Sequence, residues 1–167
     1  MVSTRMASRG AAVLLAVVTA LPAATAVAAS PAPPGALDPD VARKCPVRSY
    51  RVACIDLTHQ LTWVQKGKKV IYGPVPVRTG AAGYKTRTGW HRIFWKHKNH
   101  WSSLYGTPMP YSQFFSGGQA FHAVDDDIDS GDGSYGCVNL RPAEARKLWG
   151  VLKVGDRVYV WGRKPGT

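Results

Sequence analysis

Acidic residues are scarce in this chain: ten stand against 22 lysines and arginines in 167 residues, a formal charge of +12. Cysteine is scarcer still, with three. A disulfide-dense mini-scaffold is therefore excluded, and the fold must rest on a hydrophobic core. No long apolar run follows the N-terminal one, so nothing later in the chain reads as a membrane span. No internal repeat is visible, which argues against solenoids and propellers. Calcium is a poor fit to the aspartate-rich loop. Counting from Asp125, the sixth position is not glycine and the twelfth is not glutamate.

What is present begins with a leader-like segment. Arg5 and Arg9 precede a short apolar core, Ala11 to Leu21, and Pro22 ends it; Ala26-Val27-Ala28 offers small residues for cleavage. No twin-arginine pair precedes the core and no cysteine closes it, so a Sec-type signal peptide over residues 1–28 is expected. Residues 29–44, rich in proline and alanine, read as an extended spacer. Residues 45–163 form one ordinary domain, with 164–167 as a tail. Without Arg5 and Arg9 the mature charge is about +10. A basic chain suits nucleic acid, but export points to an anionic cell envelope instead. The mature form is expected to be extracytoplasmic, without a membrane span, and monomeric.

The middle of the chain reads as strands: 51–57, then 61–65 and 69–72 about a Lys66-Gly67-Lys68 turn. Val75 to Gly80 continues as a strand, its prolines pointing to an edge or bulge. Segments 88–96, 109–115, 118–123 and 154–161 follow. The one convincing helix starts at Pro142 and stops at Gly150. The expected fold is mostly β, a sandwich or partly open barrel, with that short helix after Cys137.

The richest segment is Ser134-Tyr135-Gly136-Cys137-Val138-Asn139-Leu140-Arg141. It places a cysteine after a glycine, in a turn leading toward the helix. His122 lies fifteen residues upstream. A thiol, an imidazole and backbone N–H groups are the parts of a nucleophilic acyl-transfer site. A helix start close to Cys137 would favour its thiolate, and the carbonyl of Ala123 is placed to orient the imidazole. Cys45 and Cys54 are candidates for a disulfide, which leaves Cys137 unpaired; pairing of Cys137 with either remains open at this level.

From residue 48 to 162 the chain resembles the L,D-transpeptidase family, the YkuD-type catalytic domain. Ser134, Gly136, Cys137, Asn139 and the upstream His122 carry the resemblance. Val77-Arg78-Thr79-Gly80 and Thr88-Gly89 with Arg92-Ile93 support it in order. Tyr135 departs from the pattern, standing where the family usually has a second histidine. The resemblance implies a YkuD-like β fold, Cys137 as nucleophile, His122 as general base and acid, and no metal or cofactor. It also implies peptidoglycan stem peptides as donor and acceptor, with the thioester opened by a diamino-acid amine. Ser134, Tyr135, Gly136, Asn139 and Ala123 would support the site.

Asp125, Asp126, Asp127, Asp129 and Asp132 hold half the acidic residues, between His122 and Cys137. Asp125 and Asp127, with Arg141, are candidate substrate-binding groups, the carboxylates for a cationic acceptor. Such carboxylates would also favour a protonated His122. The aromatics from Trp90 to Phe115 read as core or rim packing. Three other readings compete: a non-catalytic envelope-binding module with a decayed site, a hydrolase of the L,D-carboxypeptidase type, and a structural protein with Cys137 oxidised.

Overall fold

A computed structural model of the chain describes Met1, residues 37–129 and residues 131–167. The proposed signal peptide, beyond Met1, and the spacer up to residue 36 lie outside the described residues. The elements are α1 (Pro39–Ala42), β1 (Arg51–Asp56), β2 (Leu61–Lys66), β3 (Lys69–Pro76), β4 (Gly89–Arg92), β5 (Trp95–Ser102), β6 (Thr107–Ser116), β7 (Gln119–Ala123), β8 (Val138–Leu140), α2 (Pro142–Val151) and β9 (Arg157–Trp161).

They form two sheets, in the orders β3-β2-β1-β9-β4 and β5-β6-β7-β8. The mostly β architecture and the helix after Cys137 are as the sequence predicts. β3 lies at a sheet edge and its pairing with β2 is bulged, where its prolines require. Gly67, at φ +61°, closes the β2–β3 hairpin.

The core follows from the period-2 alternation of strands. Ala53 and Ile55 of β1 face the second sheet and α2, joining Val64, Phe121, Leu140, Leu148 and Val160. Each fully buried large apolar side chain contributes about 1.5–3 kcal/mol before entropy is charged. Val52 and Cys54, on the opposite face, pack with Trp63, Cys45 and Val41.

That second cluster changes the reading of the spacer. Residues 39–42 form a helical turn, capped by the Asp38 carboxylate on the Asp40 N–H at 2.7 Å. Val41 is buried against the sheet, so the packed region begins before Cys45. Pro39 is compatible with this because the first helical position needs no N–H.

Three other expectations are corrected. The single strand read over 88–96 is two. Ile93 is fully buried, and its N–H and carbonyl are taken by Asp156 and Gly155. The chain therefore changes sheets there, from β4 to β5. The helix does not stop at Gly150 but runs to Val151. Lys96 Nζ closes its end, donating to the carbonyls of Trp149 at 2.7 Å and Leu152 at 2.5 Å. Finally, Val138–Leu140 is a strand, parallel to β7, where a plain turn was expected.

Candidate active site

β7 and β8 lie side by side in parallel, with His122 in register with Asn139 and Phe121 with Val138. This register sets the site. It places Cys137, immediately before β8, beside the start of β7. The Cys137 thiol is half-buried, 3.7 Å from the carbonyl oxygen of Gly118. It sits against Met109, Phe114 and Ala120. Both Cys137 and His122 line one cleft of about 770 Å³.

His122 is buried at 6% exposure. Its Nδ1 lies 2.8 Å from the Ala123 carbonyl oxygen and its Nε2 lies 2.9 Å from Asn139 Nδ2. A carbonyl only accepts, so Nδ1 carries the proton and donates to Ala123. Nε2 then keeps its lone pair, which accepts from the Asn139 amide. Burial pushes the imidazole pKa down to about 4, and the positive charge of Arg78 adds to this. The Ala123 bond and Asp126 oppose it without prevailing. Carboxylates were expected to favour protonation; desolvation is the larger effect here.

Burial likewise pushes the Cys137 thiol up, against a smaller downward pull from a backbone hydrogen bond with Ala120. Four residues, Val138 to Arg141, separate Cys137 from the helix start at Pro142, and the three strand residues among them alone span about 10 Å at strand rise. Helix-end effects fade within a turn, so the expected thiolate stabilisation by α2 is absent. At rest the cleft holds a neutral thiol and a neutral imidazole.

The Ser134–Cys137 turn is braced from within and from outside. Ser134 Oγ donates to the Cys137 carbonyl at 2.6 Å and accepts the Gly136 N–H at 3.0 Å. The Gly136 N–H is therefore engaged at rest. Thr86 Oγ1 donates to the Gly136 carbonyl at 3.0 Å, and the backbone of Thr79 and Ala81 pairs with Ser134. Gly136 itself has φ +105°, and a Cβ there would overlap the Gln119 side-chain amide. That amide is pinned by Lys85 and Arg87 at 2.9 and 3.0 Å. Gly136→Ala is expected to destabilise the fold by about 1–3 kcal/mol, read as the midpoint of urea unfolding. Gly150→Ala, in open helical space, should instead stabilise by about 0.5–1 kcal/mol. Equal effects would contradict the role given to the turn.

Tyr135 stands at the rim, 57% exposed. Its ring stacks on Tyr105 at 4.4 Å and meets Tyr84 edge-on at 4.8 Å. Tyr105 belongs to the turn between β5 and β6 and lines the cleft with Leu104 of the same turn and Trp101 of β5. The ring, rather than the hydroxyl, makes these contacts.

The cleft does not gather every expected residue. Arg141 precedes α2 and pairs with Asp129 at 2.5 Å, while Asp125 and Asp127 lie outside the cleft lining. Asp126 and Arg78 line it instead and pair at 2.5 Å. Arg78, Thr86 and Gln119 were missed as site residues. They lie 59, 51 and 18 positions before Cys137, and no local spacing signals such contacts. Cys45 and Cys54 form a disulfide with a Cα separation of 5.9 Å, and Cys137 is a free cysteine. This removes the alternative pairings of Cys137. Among the described residues no group of three or more His, Cys, Asp or Glu side chains is arranged to hold a metal.

The family model described as the L,D-transpeptidase catalytic domain, YkuD, matches residues 50–160. An L,D-transpeptidase from Stackebrandtia nassauensis is 43% identical, with a TM-score of 0.72 over 75% of this chain and 62% of that one. The chain thus spans less than two thirds of that protein's length. An L,D-transpeptidase from Xylanimonas cellulosilytica is 23% identical, with a TM-score of 0.61 over 74% and 70%. One from Mycobacterium tuberculosis is 17% identical, with a TM-score of 0.61 over 68% and 58%. These last two share the fold. No curated protein matches the chain.

Proposed function

The chain belongs to the L,D-transpeptidase catalytic-domain family, and we propose that it is an exported cysteine acyltransferase that cross-links peptidoglycan stem peptides. The observation that carries this reading is the convergence of a free cysteine and a neutral, doubly hydrogen-bonded histidine on one cleft.

In the proposed cycle, Cys137 loses its proton to the Nε2 lone pair of His122 as sulfur attacks the carbonyl preceding the terminal D-alanine of a tetrapeptide stem. The Asn139 amide yields Nε2 at that moment. Charge on the carbonyl oxygen falls against the Gly136–Cys137 turn, where the Gly136 N–H exchanges Ser134 Oγ for the oxyanion. The C–N bond breaks, D-alanine leaves with the proton from His122, and a thioester remains. The amine of a diamino acid on a second stem attacks the thioester and gives its proton to His122, and the thiolate leaves and is reprotonated. Moving a proton between two neutral groups creates charge only in the reaction, when substrate covers the cleft.

Tyr135 shapes the rim in this scheme. Tyr135→Phe is expected to keep kcat/KM within about twofold, because the stack survives. Tyr135→Ala loses two aromatic contacts worth about 0.5–1.5 kcal/mol each and is expected to lose about tenfold, chiefly in KM. A Phe variant as impaired as Ala would give the hydroxyl a chemical role.

The test is incubation with a purified disaccharide-tetrapeptide, followed by mass spectrometry. A cross-linked dimer with loss of D-alanine supports the transpeptidase. Tripeptide alone would indicate a hydrolase, and no product from folded protein with a titratable thiol would indicate a binding module.

A further inference from the structure

We propose that Arg78 is a positioning residue that fixes the tautomer and protonation state of His122 through Asn139. The proposal rests on the reading of His122 as the base. Arg78 and Asn139 exchange both backbone hydrogen bonds, at 3.1 and 2.9 Å, although 61 residues apart in sequence. This isolated bridge holds their side chains next to each other. Arg78 Nε donates to Asn139 Oδ1 at 3.4 Å, and the Asn139 amide nitrogen faces His122 Nε2 at 2.9 Å. The rest of the guanidinium is committed to the acidic loop, to the Asp127 carbonyl at 3.0 Å and the Asp126 carboxylate at 2.5 Å.

Direction follows from donor chemistry. A guanidinium has five N–H donors and no acceptor, so only the oxygen of the Asn139 amide can face it. A flipped amide would set N–H against N–H. Fixing the oxygen fixes the NH₂ group on His122 Nε2, which must then be the lone-pair nitrogen. Nδ1 carries the proton and spends it on Ala123. Donors thus run one way, from Arg78 through Asn139 and His122 to the Ala123 carbonyl. A proton on Nε2 at rest would meet the amide hydrogens, so the relay opposes the imidazolium as well as selecting the tautomer.

Other charged and titratable groups face the imidazole. Asp126, after β7, favours its protonation, and His100, from β5, opposes it. Arg87 and the Cys137 thiol also line the cleft. Arg87 points its guanidinium at the Ser116 carbonyl, 2.9 Å away. Arg78 joins a positive charge to a hydrogen bond on Asn139. Loss of Arg78 would leave Asp126 without this partner and release the amide, both of which favour a protonated imidazole.

The experiment is NMR of the full chain labelled with ¹⁵N-histidine, titrated from pH 3.5 to 8, for the wild type, Arg78→Gln and Arg78→Lys. The wild type should show His122 as the Nδ1–H tautomer. Arg78→Gln should raise the His122 pKa by about one unit or more and populate both tautomers. Arg78→Lys, which keeps the charge without the fork, should restore most of the pKa and less of the tautomer bias. An Nε2–H tautomer in the wild type overturns the proposal, even if both variants fail to fold. So does a folded Arg78→Gln variant whose pKa and tautomer are unchanged while only its stability falls. Neither readout needs turnover. A protein that makes no cross-links yet shows these shifts would refute the proposed function and leave the relay standing.

Discussion

Cys137→Ala is expected to abolish cross-linking, with kcat/KM falling at least ~10³-fold, as is usual when a covalent nucleophile is removed. The size follows from the absence of a substitute. The other two cysteines share a disulfide in the second core cluster. The serine hydroxyl of the turn, Ser134 Oγ, already donates to the Cys137 carbonyl and accepts the Gly136 N–H. The substitution removes one sulfur from a half-buried position against Met109, Phe114 and Ala120, so the fold should persist. The check is the disaccharide-tetrapeptide reaction followed by mass spectrometry, with circular dichroism as proof of folding. Cross-linked product from a folded Cys137→Ala variant at more than a hundredth of the wild-type rate would rule out Cys137 as the nucleophile. Loss of product together with loss of fold would shift the test to Cys137→Ser, which keeps the size of the side chain but offers a far less acidic group.

Local chemistry made some of this legible in the sequence, and long-range pairing hid the rest. Proline placed β3 at an edge and opened α2, because each use depends only on a missing N–H and a fixed φ. The Ser-x-Gly-Cys turn was visible because its brace, Ser134 to Gly136 and Cys137, spans four residues. The break at Ile93 was not visible. Alternation there looks continuous, and only the Asp156–Gly155 backbone, more than sixty residues away, shows that the chain changes sheets. The same holds for β8, whose three residues become a strand through their pairing with β7. Arg78 is the sharpest case: in the sequence it only supports a family pattern before a Thr-Gly turn, and the fold is what sets Asn139 across from it. Arg141 shows the converse. Proximity to Cys137 in sequence suggested substrate contact, but the strand carries it past the cleft to Asp129. The helix start was also too far along that strand to influence the thiol.

Acidification from pH 7 to pH 4 is expected to cost the fold about 3 kcal/mol through His122 alone. In the folded chain the imidazole pKa is lowered to about 4 from an ordinary 6.5, chiefly by burial. At pH values between the two, the unfolded chain holds a proton on His122 that the folded chain refuses. The unfolded state binds more protons there, so stability rises with pH and falls as pH drops from about 6.5 toward about 4. Below that, both states are protonated and this group exacts no further loss. His122→Gln should remove the effect, because glutamine does not titrate and its amide oxygen can still accept from Asn139. Urea midpoints at pH 7 and pH 4.5 for both proteins isolate the histidine, since every other titrating group is common to the two. An acid loss of the same size in both would mean that His122 is not held neutral by the fold. The same burial gives a kinetic signature. A base already unprotonated at pH 5.5 should leave kcat/KM nearly flat from there to pH 7, whereas an exposed histidine would lose about tenfold over that range.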